Sequence, residues 1–112
     1  MQNSEILEDK IMREIKDYFK DKITSSFNVI TRTDKPYTMF SFSFIAYDYF
    51  NVIFNYDRGR FGCHLFIGDK RIPLKNTQKW YDKADMQVFY QELEQQLELR
   101  IPDKFLEYNG WK

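Results

Sequence analysis

Cys63 and His64 are the only cysteine and the only histidine of the chain, and they are adjacent in sequence. A thiol and an imidazole can form the nucleophile and base of a hydrolase or transferase. Residues 61–67, however, have the apolar and aromatic character of a strand, in which neighbouring side chains point to opposite faces of a sheet. We therefore predict that the two side chains do not pair. Cys63 is predicted to be a small buried hydrophobe, and His64 either a partly exposed strand residue or a hydrogen-bonded core histidine.

Other catalytic and cofactor sites lack their usual residues. One cysteine and one histidine supply too few ligands for a typical metal site. The four glycines lie at positions 59, 62, 68 and 110, which fits neither a phosphate loop nor a dinucleotide fingerprint. Glu94 and Glu98 form a carboxylate pair on a helix flank, where solvation does not raise a pKa for acid catalysis. We expect no enzymatic activity and no cofactor.

Composition favours one folded domain spanning residues 1–112. Hydrophobic residues make up 43% of the chain and charged residues 30%, which is typical of a globular protein. No segment approaches the roughly 20 apolar residues of a membrane span. The N-terminal sequence MQNSEILEDK lacks the basic and apolar regions of a secretory signal, and the lone cysteine leaves no internal disulfide. We therefore expect a cytoplasmic protein with no membrane partner.

Charge is balanced overall but unevenly distributed. The net charge of zero argues against direct nucleic-acid binding, which requires a basic surface. Residues 57–83 contain seven Lys or Arg and three Asp, whereas residues 85–112 contain six acids and three bases. This asymmetry is compatible with two solvated faces of opposite sign. It is also compatible with an acidic surface that is presented to a basic partner.

The hydrophobic pattern predicts a helix, a run of strands and a second helix. An apolar stripe of Leu7, Ile11, Ile15, Tyr18 and Phe19 predicts a helix over residues 4–23. Strands are predicted at residues 27–33, 38–47, 50–56, 61–67 and 71–74, with a hairpin at Gly59 and an edge position for Pro73.

The second helix is predicted to begin at Asp82, with Asp85 reaching back as in a capping box, and to continue to about Arg100. Pro102 is expected to end it, and an apolar tail to follow. This order predicts an α+β fold with an N-terminal helix, a four- to five-stranded antiparallel sheet and a C-terminal helix. Both helices are expected on one face of the sheet.

Several aromatic residues fall in predicted loops or in the tail. They are Tyr47, Tyr49, Trp80, Tyr81, Tyr108 and Trp111. Tyr and Trp are common anchors of protein interfaces because they offer a large contact area at low entropy cost. The alternative is that about half of them pack the loops and the tail onto the domain.

The C-terminal third combines three recognisable segments. A polar loop with Trp80 and Tyr81 precedes a helix that reads FYQEL at residues 89–93, and the chain closes on IPDKFLEYNGW at residues 101–111. This arrangement resembles small immunity proteins of bacterial contact-dependent growth inhibition and other polymorphic toxin systems. The resemblance implies a small cytosolic protein without activity of its own, which binds and blocks a cognate toxin domain, often a nuclease. The net charge of zero departs from the acidic character common in these families.

The expected partner is therefore a toxin domain, bound by a monomer in a 1:1 complex. A nuclease has a basic substrate cleft, so the acid-rich end of the chain is the predicted contact surface. The predicted partner-binding residues are Trp80, Tyr81, Asp82, Asp85, Glu92, Glu94, Glu98, Asp103 and Glu107.

Two other functions remain open. One is a small-ligand or nucleic-acid binding module, with weak enzymatic activity around His64 and the Arg58 and Arg60 hairpin, which requires a concave pocket lined by those side chains. The other is a mobile-element inhibitor of a host defence enzyme. That inhibitor has the same mechanism as an immunity protein and differs only in its target.

Overall fold

The computed structural model describes residues 3–24 and 26–112, and it confirms the α+β fold. One antiparallel sheet has the strand order β1-β2-β3-β4-β5, so each strand pairs with its neighbour in sequence. The elements are α1 (Ser4–Phe19), β1 (Asn28–Thr33), β2 (Met39–Ala46), β3 (Phe50–Asp57), β4 (Arg60–Ile67), β5 (Lys70–Pro73), α2 (Met86–Glu98) and α3 (Asp103–Tyr108).

The pleat of the sheet separates two faces. Phe40, Phe42 and Phe44 of β2 are buried on the face that we call the core face, together with inward-facing residues of β3 and β4. The apolar stripes of α1 and α2 belong to the same hydrophobic cluster. Both helices therefore pack on one face, as predicted. Aromatic contacts fill this layer, with ring centroids 5.2 Å apart for Phe42 and Phe54 and 4.8 Å apart for Phe61 and Phe89.

The opposite face, which we call the outer face, has no helical layer in residues 3–24 and 26–112. Most of its central positions are small or polar, and Ile53 and Phe66 are the apolar exceptions, as the strand register shows. They are Ser41 and Ser43 of β2, Asn51, Ile53 and Asn55 of β3, and Gly62, His64 and Phe66 of β4. The strands therefore alternate between apolar residues toward the helices and mixed residues outward, which is usual for a sheet covered on one side.

The ends of the helices differ from the sequence-based prediction. The first helix ends at Phe19 rather than residue 23, because Lys20 takes a φ of 54° and a short 3-10 turn follows. The predicted capping box at Asp82 is wrong. Asp82 lies in a 3-10 turn (Tyr81–Lys83), and Asp85 is the cap of α2, accepting hydrogen bonds from the amides of Gln87 and Val88.

The C-terminal helix also ends earlier than predicted, at Glu98 rather than Arg100. This helix thus ends before Pro102 is reached, whereas Pro102 was predicted to end it. Pro102 instead starts the next helix, because its carbonyl oxygen accepts hydrogen bonds from the amides of Phe105 and Leu106. The predicted tail is thus the short helix α3, with Leu106 buried. The edge position of Pro73 in β5 is confirmed.

Side chains at the start of α1 tie this helix to the edge of the sheet. The backbone amide and the hydroxyl of Ser4 both donate hydrogen bonds to Asp34. Nη1 of Arg32 lies 3.1 Å from Oε1 of Glu8, whose side chain is fully buried and whose Oε2 has no hydrogen-bond partner. Burial raises the pKa of Glu8, and the nearby Arg32 charge only partly opposes this.

Candidate protein-binding surface

Trp80 is held at the edge of the sheet and remains half-exposed. It pairs with Arg60 of β4 in an isolated antiparallel bridge, so both side chains project to the outer face. Hydrogen bonds from Phe61 to the Lys79 carbonyl and from Tyr81 to the Gly59 carbonyl hold the backbone on both sides. The Arg60 guanidinium lies 5.3 Å from the centre of the indole ring, and Trp80 is 49% exposed. This indole is an exposed aromatic group on a fixed support.

Tyr81 points the other way, toward the core face. Its ring packs edge-on against Phe61 and Tyr56, with centroids 6.0 and 6.1 Å away, and the residue is only partly exposed. Asp82 follows on the surface and is exposed. Of these three neighbours, Trp80 and Asp82 are therefore available to a partner, whereas Tyr81 mainly supports the loop.

Two predicted contact acids are engaged in local structure. Asp85 caps α2, and its own amide donates to the Gln78 side chain at 2.8 Å. Glu92 accepts hydrogen bonds from the amide and the hydroxyl of Thr77, with distances of 3.0 to 3.2 Å. Both acids thus fasten the loop between β5 and α2 to the helix.

Glu94 and Glu98 belong to an internal network on the other flank of α2. Nζ of Lys22 lies 2.9 Å from Glu94 and 3.3 Å from Glu98. The hydroxyl of Tyr18 donates to Glu94 at 3.0 Å, and that of Tyr47 donates to Glu98 at 2.7 Å. Burial and the Glu94 carboxylate raise the pKa of Tyr18 to about 12. These acids join α2 to α1 and to the β2–β3 turn.

The last two predicted acids lie on α3. Asp103 forms an exposed ion pair with Lys112, at 2.6 Å. Glu107 is exposed, and no ion pair involving it is present among residues 3–24 and 26–112. Of the seven acids in this prediction, Asp85, Glu92, Glu94, Glu98 and Asp103 therefore have hydrogen-bond or ion-pair partners within the protein. The acidic contact surface itself stays a prediction.

A concave site next to Trp80 on the outer face is lined by Arg60 and His64, two of the three side chains that the small-ligand alternative requires, but not by Arg58. We call it the Gly62 pocket. Its volume is about 310 Å³, and its lining includes Asn55, Asp57, Arg60, Gly62, Cys63, His64 and Arg71. A glycine inside a strand often marks the close approach of a ligand or another chain, and Gly62 carried that signal in the sequence.

His64 and Cys63 lie on opposite faces, as predicted. His64 pairs with Ile53 across the outer face, whereas Cys63 pairs with Phe54 across the core face. Nδ1 of His64 is 3.0 Å from the side-chain nitrogen of Asn55, which can only donate, so the neutral ring carries its proton on Nε2. Burial and the Arg71 charge lower the pKa of His64. Burial raises the pKa of the Cys63 thiol, so the thiolate is strongly disfavoured.

Residues 3–24 and 26–112 contain no group of three or more His, Cys, Asp or Glu that could hold a metal ion. None of the described helices has the length and apolar character needed to cross a membrane.

No family model, curated protein or solved structure matches this chain. The likeness to immunity proteins therefore depends on the C-terminal residues alone.

Proposed function

We propose that this protein is a cytoplasmic immunity protein that binds a cognate bacterial toxin domain as a monomer, in a 1:1 complex, and thereby neutralises it. The class of partner comes from the closing motif at residues 101–111 and the loop around Trp80. The toxin is proposed to be a nuclease, as is frequent in systems of this kind. The protein itself performs no chemistry in this mechanism.

The observation that carries the proposal is the half-exposed indole of Trp80. Backbone hydrogen bonds hold the residues on either side of it, and Arg60 packs against its ring. A rigid aromatic group loses little conformational entropy on binding, and Trp and Arg are enriched among the residues that dominate interface energetics. The pair therefore suits the centre of a protein interface. Neutralisation follows when the bound protein covers the active cleft of the toxin.

Co-expression tests the proposal directly. The toxin domain encoded immediately upstream of this chain in its genome is expressed with and without the protein, and growth is measured. We expect the toxin alone to arrest growth, the protein to restore it, and the purified pair to elute as a 1:1 complex in light-scattering chromatography. Intact toxicity in the presence of the protein, with no complex formed, would refute the function.

A small-ligand binding module is the second candidate, because the Gly62 pocket brings His64 and Arg60 together. The pocket does not involve Arg58, whose Nε pairs with Asp57 at 2.8 Å. At about 310 Å³ the pocket is at the lower end of the range for small-molecule sites. An enzymatic form of this module would lose activity in a His64→Ala variant, which immunity would not require.

A further inference from the structure

The Gly62 pocket arises from two local features of β4. Along this strand, Arg60 and His64 flank Gly62 on the outer face, and Asn55 lies opposite it on β3. The glycine supplies no side chain, and a Cβ placed there would meet nothing within 4 Å. On the side of β4 away from β3, the amide of Leu74 donates a hydrogen bond to the Cys63 carbonyl, and the amide of Phe61 donates to the Lys79 carbonyl. Between Leu74 and Lys79 the backbone moves away from β4. A missing side chain and a gap in the neighbouring chain together create the cavity.

The charged groups around the pocket are mainly positive. Arg60 and Arg71 line it, and neither has a carboxylate partner among the ion pairs of residues 3–24 and 26–112. Asp57 also lines it, but its carboxylate is paired with Arg58. His64 is neutral and keeps Nε2–H as a donor. Two arginines without a carboxylate partner among the described residues therefore line the pocket, and they favour an anionic occupant.

The surroundings favour a side chain over a free ligand. The cavity is small, and Arg60, one of the residues that line it, also packs its guanidinium on the exposed ring of Trp80. The pocket would thus place an anion site beside the aromatic side chain of Trp80. Protein interfaces often combine aromatic contacts with charged pairs, and the charged pairs fix how the two proteins align. The balanced net charge of the chain gives no support for a phosphate backbone as the occupant.

We propose that the Gly62 pocket receives an aspartate or glutamate side chain of the partner protein, held by Arg60 and Arg71 beside the Trp80 contact. This inference rests on the proposed function, since it specifies the chemistry of the same partner. The toxin surface that meets the pocket would then be acidic. The acid-rich end of the chain, in contrast, predicts a basic toxin surface.

The first test uses small probes and does not need the toxin. The ¹⁵N-labelled protein is titrated by NMR with N-acetyl-aspartate N-methylamide, with N-acetyl-asparagine N-methylamide and with inorganic phosphate, at constant ionic strength. We expect saturable shifts of the Gly62 amide and the Arg60 and Arg71 Nε–H signals with the aspartate probe only. The shifts should vanish in Gly62→Val, which fills the open space with a residue that strands favour.

The second test measures binding of the upstream toxin domain by surface plasmon resonance. We expect Gly62→Val and Arg71→Gln each to raise the dissociation constant by about tenfold or more, because each deprives a partner carboxylate of its contacts. Lys70→Gln is the matched control for Arg71→Gln. Lys70 is adjacent in sequence, exposed and on the other face of β5, so its variant should bind like the parent.

The outcomes separate this inference from the proposed function. A toxin that binds the parent, Gly62→Val and Arg71→Gln equally well overturns the pocket's role and leaves the immunity function in place. If the toxin does not bind the parent protein, the proposed immunity function is refuted. The probe titration then decides independently whether the Gly62 pocket binds carboxylates. Saturable shifts with phosphate rather than aspartate, equal shifts with both amino-acid probes, or none at all overturn the carboxylate assignment.

Discussion

Trp80 carries the most specific prediction at the scale of single residues. Replacing it with alanine removes the exposed ring while its backbone hydrogen bonds remain. Truncating a central aromatic anchor costs roughly 2 to 4 kcal/mol of binding free energy. We expect Trp80→Ala to weaken toxin binding by about 30-fold or more, mainly through a faster off-rate, as measured by surface plasmon resonance.

Tyr108→Ala is the control for this variant, because Tyr108 is also an exposed aromatic residue, 90% accessible on α3. It should leave both rate constants unchanged. Thermal melts must show that both variants fold like the parent. Unchanged toxin binding by a folded Trp80→Ala variant would place the interface elsewhere.

Glu8 gives a prediction about stability and pH. The pKa of Glu8 is raised above 4.5 in the folded protein. At any pH between 4.5 and the raised value, the folded protein therefore binds more protons than the unfolded chain. The parent therefore gains stability on acidification through this window, and the contribution is lost as the pH rises through the folded pKa. Glu8→Gln removes this titration and the buried charge. We expect the variant to be more stable than the parent at pH 7, with the advantage shrinking toward pH 4.5.

Urea denaturation at pH 7 and pH 4.5 measures both free energies of unfolding. Glu5→Gln is a control on the same helix, since Glu5 is exposed. A Glu8→Gln variant that is less stable at pH 7 would show that the Arg32 ion pair outweighs the burial of the carboxylate.

Residue roles were the hardest feature to predict from sequence. The types and spacing of Glu94 and Glu98 indicated a solvated helix flank, but Lys22 lies 72 positions before Glu94 and the pairing depends on how α1 meets α2. Trp80 and Tyr81 are neighbours of similar character, yet only Trp80 is directed outward. Their difference arises from the bridge to Arg60, which fixes the face of each side chain.

At the scale of elements, the network around Lys22 fastens α2 to the rest of the fold. Glu98 accepts from both Lys22 and Tyr47. A neutral amide keeps the shape but weakens two charge-assisted bonds, and the difference between charged and neutral hydrogen bonds is about 1 kcal/mol. We expect Glu98→Gln to lower the free energy of unfolding by about 1 kcal/mol, measured by urea denaturation at pH 7.

The control is Glu107→Gln on α3, an exposed acid whose loss should change stability little. Equal stability of both variants would mean that the network is dispensable. Any on-rate measured for Glu94 or Glu98 variants should therefore be interpreted together with their stability.

The elements themselves were largely predictable because strand alternation and helical spacing are local. Phe40, Phe42 and Phe44 indicated the core face of β2 directly. The start of α2 was not predictable, because Asp82 and Asp85 are equally good caps by type. The choice depends on the pairing of Tyr81 with the Gly59 carbonyl, which keeps the chain beside β4 for a few more residues.

At the scale of the whole molecule, charge-reversal variants can show whether the surface that contacts the toxin is basic or acidic. If the partner meets the outer face beside Trp80, the charge of Lys79, which is exposed and adjacent to Trp80 in sequence, speeds association with an acidic partner surface through long-range attraction. We expect Lys79→Glu to lower the toxin on-rate severalfold at low salt, with a smaller effect at 0.5 M NaCl. Glu107→Lys on α3 should have little effect. The reverse pattern, with Glu107→Lys slowing association, would restore the acid-rich end as the contact surface.

The reaction of the buried Cys63 thiol with a labelling reagent can be used to measure local opening of the fold. Cys63 is 6% exposed on the core face of a central strand, and burial disfavours its reactive thiolate. A thiol reagent at neutral pH should therefore modify this single cysteine only when the sheet separates from its helices, so the labelling rate follows the opening equilibrium. A partner that binds only the closed protein should slow this labelling, because it lowers the population of the open form.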